Sequence, residues 1–489
     1  MVRDDWSREK IQFVTETRDQ SAAEEPSAPF ELLLSVAREG PGTLGALSED
    51  RLRRAIRGGE LHGGTRVPST RDLARQLGVS RRIAVDAYAQ LAAEGYLVLR
   101  QGAQPRVAES AATDGIAEPA PLLTEPAMRY DFRPSRPDVT SFPRRAWARC
   151  LRDAVATIPD ADLIYGDPCG VESLRTALAD YLGRVRGVVA EPARIVVTNG
   201  YIQGLGLVCR ALAARGVRRI AIEDPSSPEQ GPIAVRAGLE PVPVPVDGSG
   251  LVVGALAGLD AGAVVLTPAH QHPTGVVLTP ERRGALVEWL RERDAVAIED
   301  DYDAEYRYDR AAVGAFQGLD PDRVVYCGSA SKTLAPALRL GWMAVPAALL
   351  DSVRYEKSIA DQTTARIEQH AMADFIGRGE LDRHLRRMRL SYRARRDAVI
   401  AAVGRELPDA TISGIAAGLH VTVTLASRVE EAALRAECER RRVAISTLSD
   451  YREGAFAETP TLLLGYAQLP EAAIAAAVAE LAGAIRAVA

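Results

Sequence analysis

Lysine is nearly absent from this chain: of its 60 basic residues three are lysine, and the other 57 are arginine. One of the three, Lys332, lies in the small-residue stretch 328–339, with Ser329 three positions before it and Arg339 seven after it. A lysine amine forms an imine with an aldehyde, whereas an arginine guanidinium never gives up its proton. Ser329 and Arg339 offer an anion a hydroxyl donor and a bidentate fork. The stretch therefore predicts a site for an aldehyde that carries a phosphate.

About thirty residues upstream, acidic side chains follow a short apolar strand at 295–298. Open α/β sheets bind ligands at the carboxyl ends of their strands. A carboxylate there, at Asp300, would keep a pyridine nitrogen protonated, and Tyr302 would reach a phenolic oxygen of the same ring. Together with Lys332, the pattern predicts pyridoxal 5'-phosphate. The alternative is a solvated loop or a metal site formed by Glu299, Asp300, Asp301 and Asp303.

Two further motifs place a turn after an apolar strand. In 264–275 a Pro/Gly turn carries His270 and His272, and His272 suits the wall of a cofactor site better than a metal site. In 195–204 a small-residue turn leads from a strand into a helical pattern. Such a turn offers the backbone amides of a helix N-terminus to a phosphate.

From about Arg129 to the C-terminus the chain resembles a fold-type I aminotransferase, and its motifs resemble those of the MocR/GabR group of GntR-type regulators. The resemblance implies that Lys332 forms the Schiff base, with Asp300 at the pyridine nitrogen and Tyr302 at the phenolic oxygen. The residues that it further implies at the cofactor are Ser329, Ser331, Arg339, Tyr201, Ile202, His272 and, from the neighbouring subunit of a homodimer, Tyr165.

Three positions depart from the family pattern. Ser227 stands where relatives carry an aromatic residue that stacks on the ring, and Ile202 replaces a polar side chain. Leu463 occupies the position of the arginine that clamps a substrate α-carboxylate in true aminotransferases. The imine chemistry is retained, but efficient turnover of amino acids is not expected.

The N-terminal part of the chain is basic. Residues 51–106 hold 11 arginines and four acids, a net charge of +7, whereas the whole chain carries −5 and its remainder therefore −12. This asymmetry indicates a nucleic-acid partner for the basic segment. The alternative is a solvated charged face on a purely structural module.

Helix signals in the same segment favour the DNA-binding interpretation. Ser48, Ser69 and Ser80 each precede a helical pattern as a predicted N-cap, and only 78–80 separates the second helix from the third. That short connection is typical of a helix-turn-helix. Two predicted strands at 96–100 and 104–107 follow as a wing.

The stretch 66–81 closely resembles the GntR winged helix. The resemblance implies Arg71 and Arg81 as the main DNA contacts, at the recognition helix and near it, and a wing around Gly102 in the minor groove. The wing departs from the family pattern at Arg106, which either replaces a backbone contact or is solvated. The full set of predicted DNA contacts is Arg66, Ser69, Thr70, Arg71, Ser80, Arg81, Arg82, Gly102 and Arg106.

We therefore expect a multidomain chain. It consists of a loose polar tail (1–30), a mostly α winged helix-turn-helix (31–108), a linker (109–128), and an α/β fold-type I domain with large and small subdomains (129–489). Five cysteines without CxxC spacing, and the lack of a signal-peptide or transmembrane pattern, predict a cytoplasmic protein without a membrane partner.

The leading functional hypothesis is a one-component transcription regulator. It would sense pyridoxal phosphate, an amine or an amino acid, control genes of vitamin B6 or of amino-acid and amine metabolism, and bind a double-stranded operator with two half-sites. The alternatives are a working aminotransferase with an accessory DNA-binding module, and a DNA-binding scaffold whose second domain is inactive.

Overall fold

A computed structural model describes residues 44–111, 128–308, 313–452 and 460–489. The chain divides into two compact units, Met1–Glu125 and Pro126–Ala489. The division falls within the predicted linker. The predicted tail 1–30, the first residues of the predicted 31–108 domain and linker residues 112–127 lie outside the described part of the chain.

The described part of the first unit contains three helices and a hairpin. These are α1 (Leu44–Arg57), α2 (Thr70–Leu77), α3 (Arg81–Ala93), β1 (Leu97–Val98) and β2 (Arg106–Val107), with β1 and β2 antiparallel. The helix-turn-helix and the wing are thus both present, as the sequence predicted.

Two of the three predicted serine caps are confirmed. The Ser69 hydroxyl accepts a hydrogen bond from the Asp72 amide (3.2 Å), and Ser80 accepts one from Ile83 (3.4 Å). The prediction for Ser48 is wrong, because α1 already begins at Leu44 and Ser48 therefore lies inside the helix. A serine marks a helix start only when the residues before it are not themselves helical.

A small apolar core holds the first unit together. Leu52 and Ile56 of α1 pack with Leu73 of α2 and with Tyr88 and Leu91 of α3, and all five side chains are buried. These positions follow the 3.6-residue period, so the arginines between them face outward.

The second unit is an α/β structure. Its helices are α4 (Arg144–Thr157), α5 (Glu172–Arg186), α6 (Tyr201–Ala214), α7 (Gln230–Arg236), α8 (Val253–Leu256), α9 (Pro280–Arg293), α10 (Ala330–Thr333), α11 (Ala347–Asp361), α12 (Arg366–Gly377), α13 (Glu380–Glu406), α14 (Glu431–Arg440) and α15 (Glu471–Val488). Its strands are β3 (Tyr130–Asp131), β4 (Ile195–Thr198), β5 (Arg219–Asp224), β6 (Glu240–Asp247), β7 (Gly250–Leu251), β8 (Ala263–Leu266), β9 (Val296–Asp301), β10 (Val324–Ser329), β11 (Gly341–Ala344), β12 (Thr411–Ser413), β13 (His420–Thr424), β14 (Val443–Ala444), β15 (Ser446–Thr447) and β16 (Thr461–Gly465).

Eight strands form the large sheet, in the order β4-β11-β10-β9-β8-β5-β6-β7. The run from β10 to β6 is parallel, while β11 is antiparallel to both of its neighbours. β8 is buried at every residue, as expected for a central strand covered on both faces. The carboxyl ends of the parallel strands consequently lie along one edge of the sheet.

A second, antiparallel sheet (β12-β13-β16-β15) belongs to the C-terminal third of the chain. β3, at the start of the unit, pairs with β14 in register Tyr130↔Val443. The first residues of the unit are therefore joined to its C-terminal third, and we call these joined segments the small subdomain. No helix in the described part of the chain has the length and apolar character needed to cross a bilayer.

Candidate cofactor cavity and DNA-binding surface

A cavity of about 350 Å³ opens at the carboxyl ends of the parallel strands. Asp300 of β9 and Ser329 of β10 line it, together with Glu223 of β5 and Thr267, which directly follows β8. The first residue of α6, Tyr201, completes this wall. Five separate segments thus meet where an open α/β sheet places its ligands.

Nine of the ten residues predicted at the cofactor line this one cavity. They are Tyr201, Ile202, His272, Asp300, Tyr302, Ser329, Ser331, Lys332 and Arg339. The tenth, Tyr165, lies outside it and is 83% exposed. Its assignment to the cavity of a neighbouring subunit stays a prediction.

Lys332 lies on α10, and its amine Nζ donates a hydrogen bond to the Ser135 carbonyl oxygen (2.6 Å). Burial lowers the pKa of Lys332, although the carboxylates of Asp300 and Asp303 act in the opposite direction. A lower pKa increases the fraction of neutral amine, which is the form that attacks an aldehyde.

Asp300 faces the cavity from β9, beside Cys327 of β10. Burial and the neighbouring Asp301 raise the pKa of Asp300 well above its usual range, and Lys332 opposes this shift. A buried carboxyl of this kind favours a cationic partner. It therefore fits a protonated pyridine nitrogen.

The acids around Asp300 are not a solvated loop. Glu299 is buried and accepts hydrogen bonds from the Phe316 and Gln317 amides (both 2.8 Å). Asp301 is also buried and forms an ion pair with Arg186 (2.7 Å). Within the ranges that the structure describes, no group of His, Cys, Asp and Glu residues could hold a metal ion. The solvated-loop alternative is wrong, and nothing in the described chain supports a metal site.

Tyr302 contacts an aromatic and acidic pair behind the cavity. Its hydroxyl oxygen lies 3.0 Å from His270 Nδ1, which also lies 3.0 Å from a carboxylate oxygen of Asp303. Burial raises the pKa of Tyr302 well above its usual range, so the phenol is neutral. A His270 that carries its hydrogen on Nδ1 would donate it to these oxygens and so help to hold Tyr302 in the wall of the cavity.

The N-terminus of α6 is open to an anion. Gly200, the residue before the helix, has φ +83° and no side chain to cap the first amides. A Cβ at Gly200 would lie 2.8 Å from the guanidinium of Arg339, which donates to the Asn199 carbonyl (2.7 Å). The uncapped amides of Tyr201 and Ile202, beside this cation, fit a phosphate group.

His272, in the segment that follows β8, also lines the cavity. Its Nδ1 is buried without a hydrogen-bond partner in the described part of the chain, which leaves a polar atom for a ligand to satisfy. Burial and the nearby His420 lower the pKa of His272 well below its usual range. The ring is therefore neutral, and it contacts Tyr451 edge-on with ring centroids 5.1 Å apart.

The departures from the family pattern have structural counterparts. Ser227 lines the cavity and donates to the Glu229 carboxylate (2.5 Å), so it offers no aromatic face. Leu463 lies within β16, fully buried, and it does not line the cavity.

Several lining residues were not predicted. They are Pro134, Ser135, Glu223, Ser226, Pro228, Glu229, Gln230, Thr267, Pro336 and Tyr451. The sequence contained a signal for Glu223, because this acid lies near the end of an apolar strand, as Asp300 does. Burial raises the pKa of Glu223 to about 7, and its carboxylate accepts a hydrogen bond from the Thr267 hydroxyl (2.7 Å). Tyr451 had none, since it reaches the cavity from the distant C-terminal third.

The first unit presents the predicted arginines to solvent. Arg66, Arg71, Arg81 and Arg82 are exposed, and the described residues offer Arg71 and Arg81 no ion-pair partner. Ser69 and Ser80 act as helix caps, and the Ser69 hydroxyl donates to Asp72 (2.6 Å). Cationic side chains are thus available at the N-terminus of α3, the end that a recognition helix presents to DNA.

The wing has a partly structural arginine. Gly102 (φ +78°) allows the turn between β1 and β2, and Arg106 donates to the Gly64 carbonyl (3.0 Å). Neither expectation for Arg106 anticipated this contact within the domain. Between the wing and the start of α2 lies a groove of about 450 Å³, lined by Ser69, Thr70, Leu99, Arg100, Ala103, Gln104 and Pro105.

Solved structures confirm the fold of the second unit. The kynurenine aminotransferase of Pyrococcus horikoshii matches with a TM-score of 0.67 and 24% identity, over 74% of this chain and 91% of that one. The α-aminoadipate aminotransferase LysN of Thermus thermophilus matches with a TM-score of 0.66 and 24% identity, over 73% and 92%. The second unit has the aminotransferase fold.

The alignments with related sequences cover most of this chain and therefore parts of both units. PdxR, the pyridoxine biosynthesis transcriptional regulator of Corynebacterium glutamicum, is 35% identical over 78% of this chain and 85% of its own. MocR of Rhizobium meliloti, a probable rhizopine catabolism regulatory protein, is 33% identical over 82% and 85%. The family model for aminotransferase class I and II matches residues 139–480, and that for bacterial regulatory proteins of the gntR family matches 49–107. The chain therefore belongs to the MocR-type HTH transcriptional regulators, which join a GntR domain to an aminotransferase class I and II domain.

Proposed function

We propose that this chain is a transcription regulator that depends on pyridoxal 5'-phosphate and responds to the cofactor, or to an amine or amino acid bound with it. One observation carries the proposal: Lys332, Asp300 and Tyr302 meet an open helix N-terminus in a single cavity of an aminotransferase fold. The aminotransferase class I and II family supports the same cofactor. The GntR domain would bind the DNA of the regulated gene.

Each part of the cofactor would be bound by a different set of residues in the cavity. Pyridoxal phosphate supplies an aldehyde that bonds to amines and a ring that withdraws electrons. Lys332 would hold the aldehyde, and Asp300 the ring nitrogen. Ser329, Ser331 and Arg339 would hold the phosphate together with the first amides of α6. Each of these groups carries the charge or the hydrogen-bond donor that its part of the cofactor requires.

Lys332 also offers a link between the cavity and the rest of the unit. Its amine donates to Ser135, in the segment that follows β3, and β3 pairs with the C-terminal third through β14. An amine bonded to an aldehyde has fewer N–H groups to donate. Occupancy of the cavity would therefore change a contact between the large sheet and the small subdomain.

This change controls DNA binding only if the states of the domain differ in their affinity for the effector, because tight binding alone shifts no equilibrium. We propose genes of vitamin B6 or of amine and amino-acid metabolism as targets, in line with what the relatives PdxR and MocR are named for. A DNA partner is also consistent with the proposed cytoplasmic location.

A homodimer would complete the cavity and set the spacing on DNA. Leu163, Ile164 and Tyr165 are consecutive and all more than half exposed, which is unusual for large apolar side chains outside an interface. A second copy of the chain would cover them and bring Tyr165 to the neighbouring cavity. Two winged helices would then bind two half-sites whose centres are a whole number of ~10.5-bp turns apart.

The regulator and enzyme hypotheses differ in their expected turnover. Because the resemblance assigns the buried Leu463 to the position of the carboxylate clamp, we expect steady-state transamination of ordinary α-amino acids to be slow or absent. Coupled assays with a panel of amino acids and 2-oxoglutarate measure this rate. Turnover in the ~1–10³ s⁻¹ range of typical enzymes would support the alternative of an active aminotransferase.

Operator affinity, measured by fluorescence anisotropy with and without pyridoxal phosphate and candidate amines, tests the proposed function. We expect the operator affinity to change when the cavity is occupied. An affinity that stays the same with every ligand that binds the cavity would contradict a sensing role.

A further inference from the structure

Lys357 is the second of the three lysines, and its place in the structure is unlike that of Lys332. Its side chain on α11 is fully buried, and it does not line the cavity. The amine donates to Asp361 (2.5 Å), one turn further along α11, and to the Thr364 hydroxyl (3.1 Å). A buried ammonium group persists when it is paired in this way, because an unpaired one would lose its proton.

The other carboxylate oxygen of Asp361 accepts hydrogen bonds from two side-chain amides, one just before α6 and one in its first turn. Asn199 Nδ2 lies at 2.8 Å and Gln203 Nε2 at 2.7 Å. The backbone N–H of Asn199 also donates to Gln203 Oε1 (2.8 Å), and the backbone carbonyl of Asn199 accepts the hydrogen bond from Arg339. Asp361 thus holds the two residues that flank the turn 200–202, and Tyr201 and Ile202 of that turn line the cavity.

The charges in this arrangement are matched. A carboxylate bonded to the ends of an anion-binding turn would repel a phosphate if it were left alone. Lys357 places a positive charge on the far side of that carboxylate and so offsets it. Lysine brings the more compact of the two cationic side chains into this fully buried position.

We propose that Lys357 and Asp361 are positioning residues for the phosphate group of the bound cofactor: they hold the turn 200–202 in its anion-binding conformation and keep its surroundings electrically neutral. The inference rests on the proposed function, because it concerns the phosphate end of the same cavity. Neither residue touches the ligand; both act through Asn199 and Gln203.

The test compares two ligands that differ only in the phosphate. Affinities of the full-length protein for pyridoxal phosphate and for pyridoxal are measured from their visible absorbance. With Lys357→Met we expect the affinity for pyridoxal phosphate to fall about tenfold, as for one charge-assisted interaction, while the affinity for pyridoxal stays unchanged. The double variant Lys357→Met/Asp361→Asn removes both charges and should recover most of the loss.

Glu356→Gln is the matched control. Glu356 lies next to Lys357 and joins the same two helices through Arg210 of α6 (2.9 Å), and the hydrogen bonds and ion pairs of the described residues do not join it to the turn. This variant should leave the ratio of the two affinities unchanged. Equal losses for both ligands in Lys357→Met, or no loss, would overturn the inference.

Gln203→Ala provides a second route that spares the buried lysine, in case Lys357→Met folds poorly. It removes one of the two amide donors to Asp361 and should lower the preference for the phosphorylated ligand in the same direction. An unchanged preference contradicts the inference. Wild-type protein that binds neither ligand would instead contradict the proposed function, so the two failures are distinguishable.

Discussion

A Lys332→Ala variant is expected to lose the visible absorbance that the wild type acquires with pyridoxal phosphate, and to take up no cofactor on borohydride reduction. The reason is that Lys332 is the only lysine among the residues lining the cavity, so the alanine variant has no amine there to bond to the aldehyde. Absorbance spectra and the mass of the reduced protein measure the effect, which should be complete.

The same variant should still bind operator DNA with measurable affinity, because Lys332 and the winged helix belong to separate compact units. This provides the internal control that the protein is folded. A Lys332→Ala protein that keeps the visible band and the reducible label would place the covalent bond on another residue.

The second large effect is expected on DNA binding from Arg81→Ala. Arg81 begins α3, is exposed, and has no ion-pair partner among the described residues. If it contacts a base, its loss should cost about 1–3 kcal/mol and relax specificity at one position. If it contacts a phosphate, affinity should fall evenly for all sequences and the salt slope should drop by about one.

Arg54→Ala is the control for this prediction. It also removes one exposed arginine from the first unit, but from α1, where Arg54 pairs with Asp50. It should change operator affinity little, and both variants should keep the cofactor spectrum. Unaltered operator affinity of Arg81→Ala at physiological salt would exclude α3 from the DNA interface.

The features predicted correctly are those encoded locally. The Ser69 and Ser80 caps, the short connection before α3 and the apolar strand that carries Asp300 near its carboxyl end each depend on a few consecutive residues. The carboxyl ends of parallel strands share one edge, which accounts for the place of Asp300 in the cavity, whereas residues such as Ser331 and Ile202 were expected there from the resemblance to aminotransferases.

Contacts made over long sequence distances could not be predicted in this way. The Asp361 bonds to Asn199 and Gln203 span about 160 residues, and Tyr451 reaches the cavity from the C-terminal third. The start of α1 was missed for a different reason: Ser48 was read as the cap, whereas the helix already begins four residues before it, at Leu44. The sequence did not predict that Arg106 bonds to another residue of its own domain, because its hydrogen bond to the Gly64 carbonyl depends on how the wing folds back.

Borohydride reduction of the wild-type protein with pyridoxal phosphate, followed by peptide mapping, tests the central claim most directly. The chain offers three lysines, Lys10, Lys332 and Lys357, so the result is close to a three-way choice. We predict that the reduced cofactor lies on Lys332. A label on Lys357 or Lys10, or no label at all, would contradict the assignment of this cavity and with it the proposed dependence of the regulator on pyridoxal phosphate.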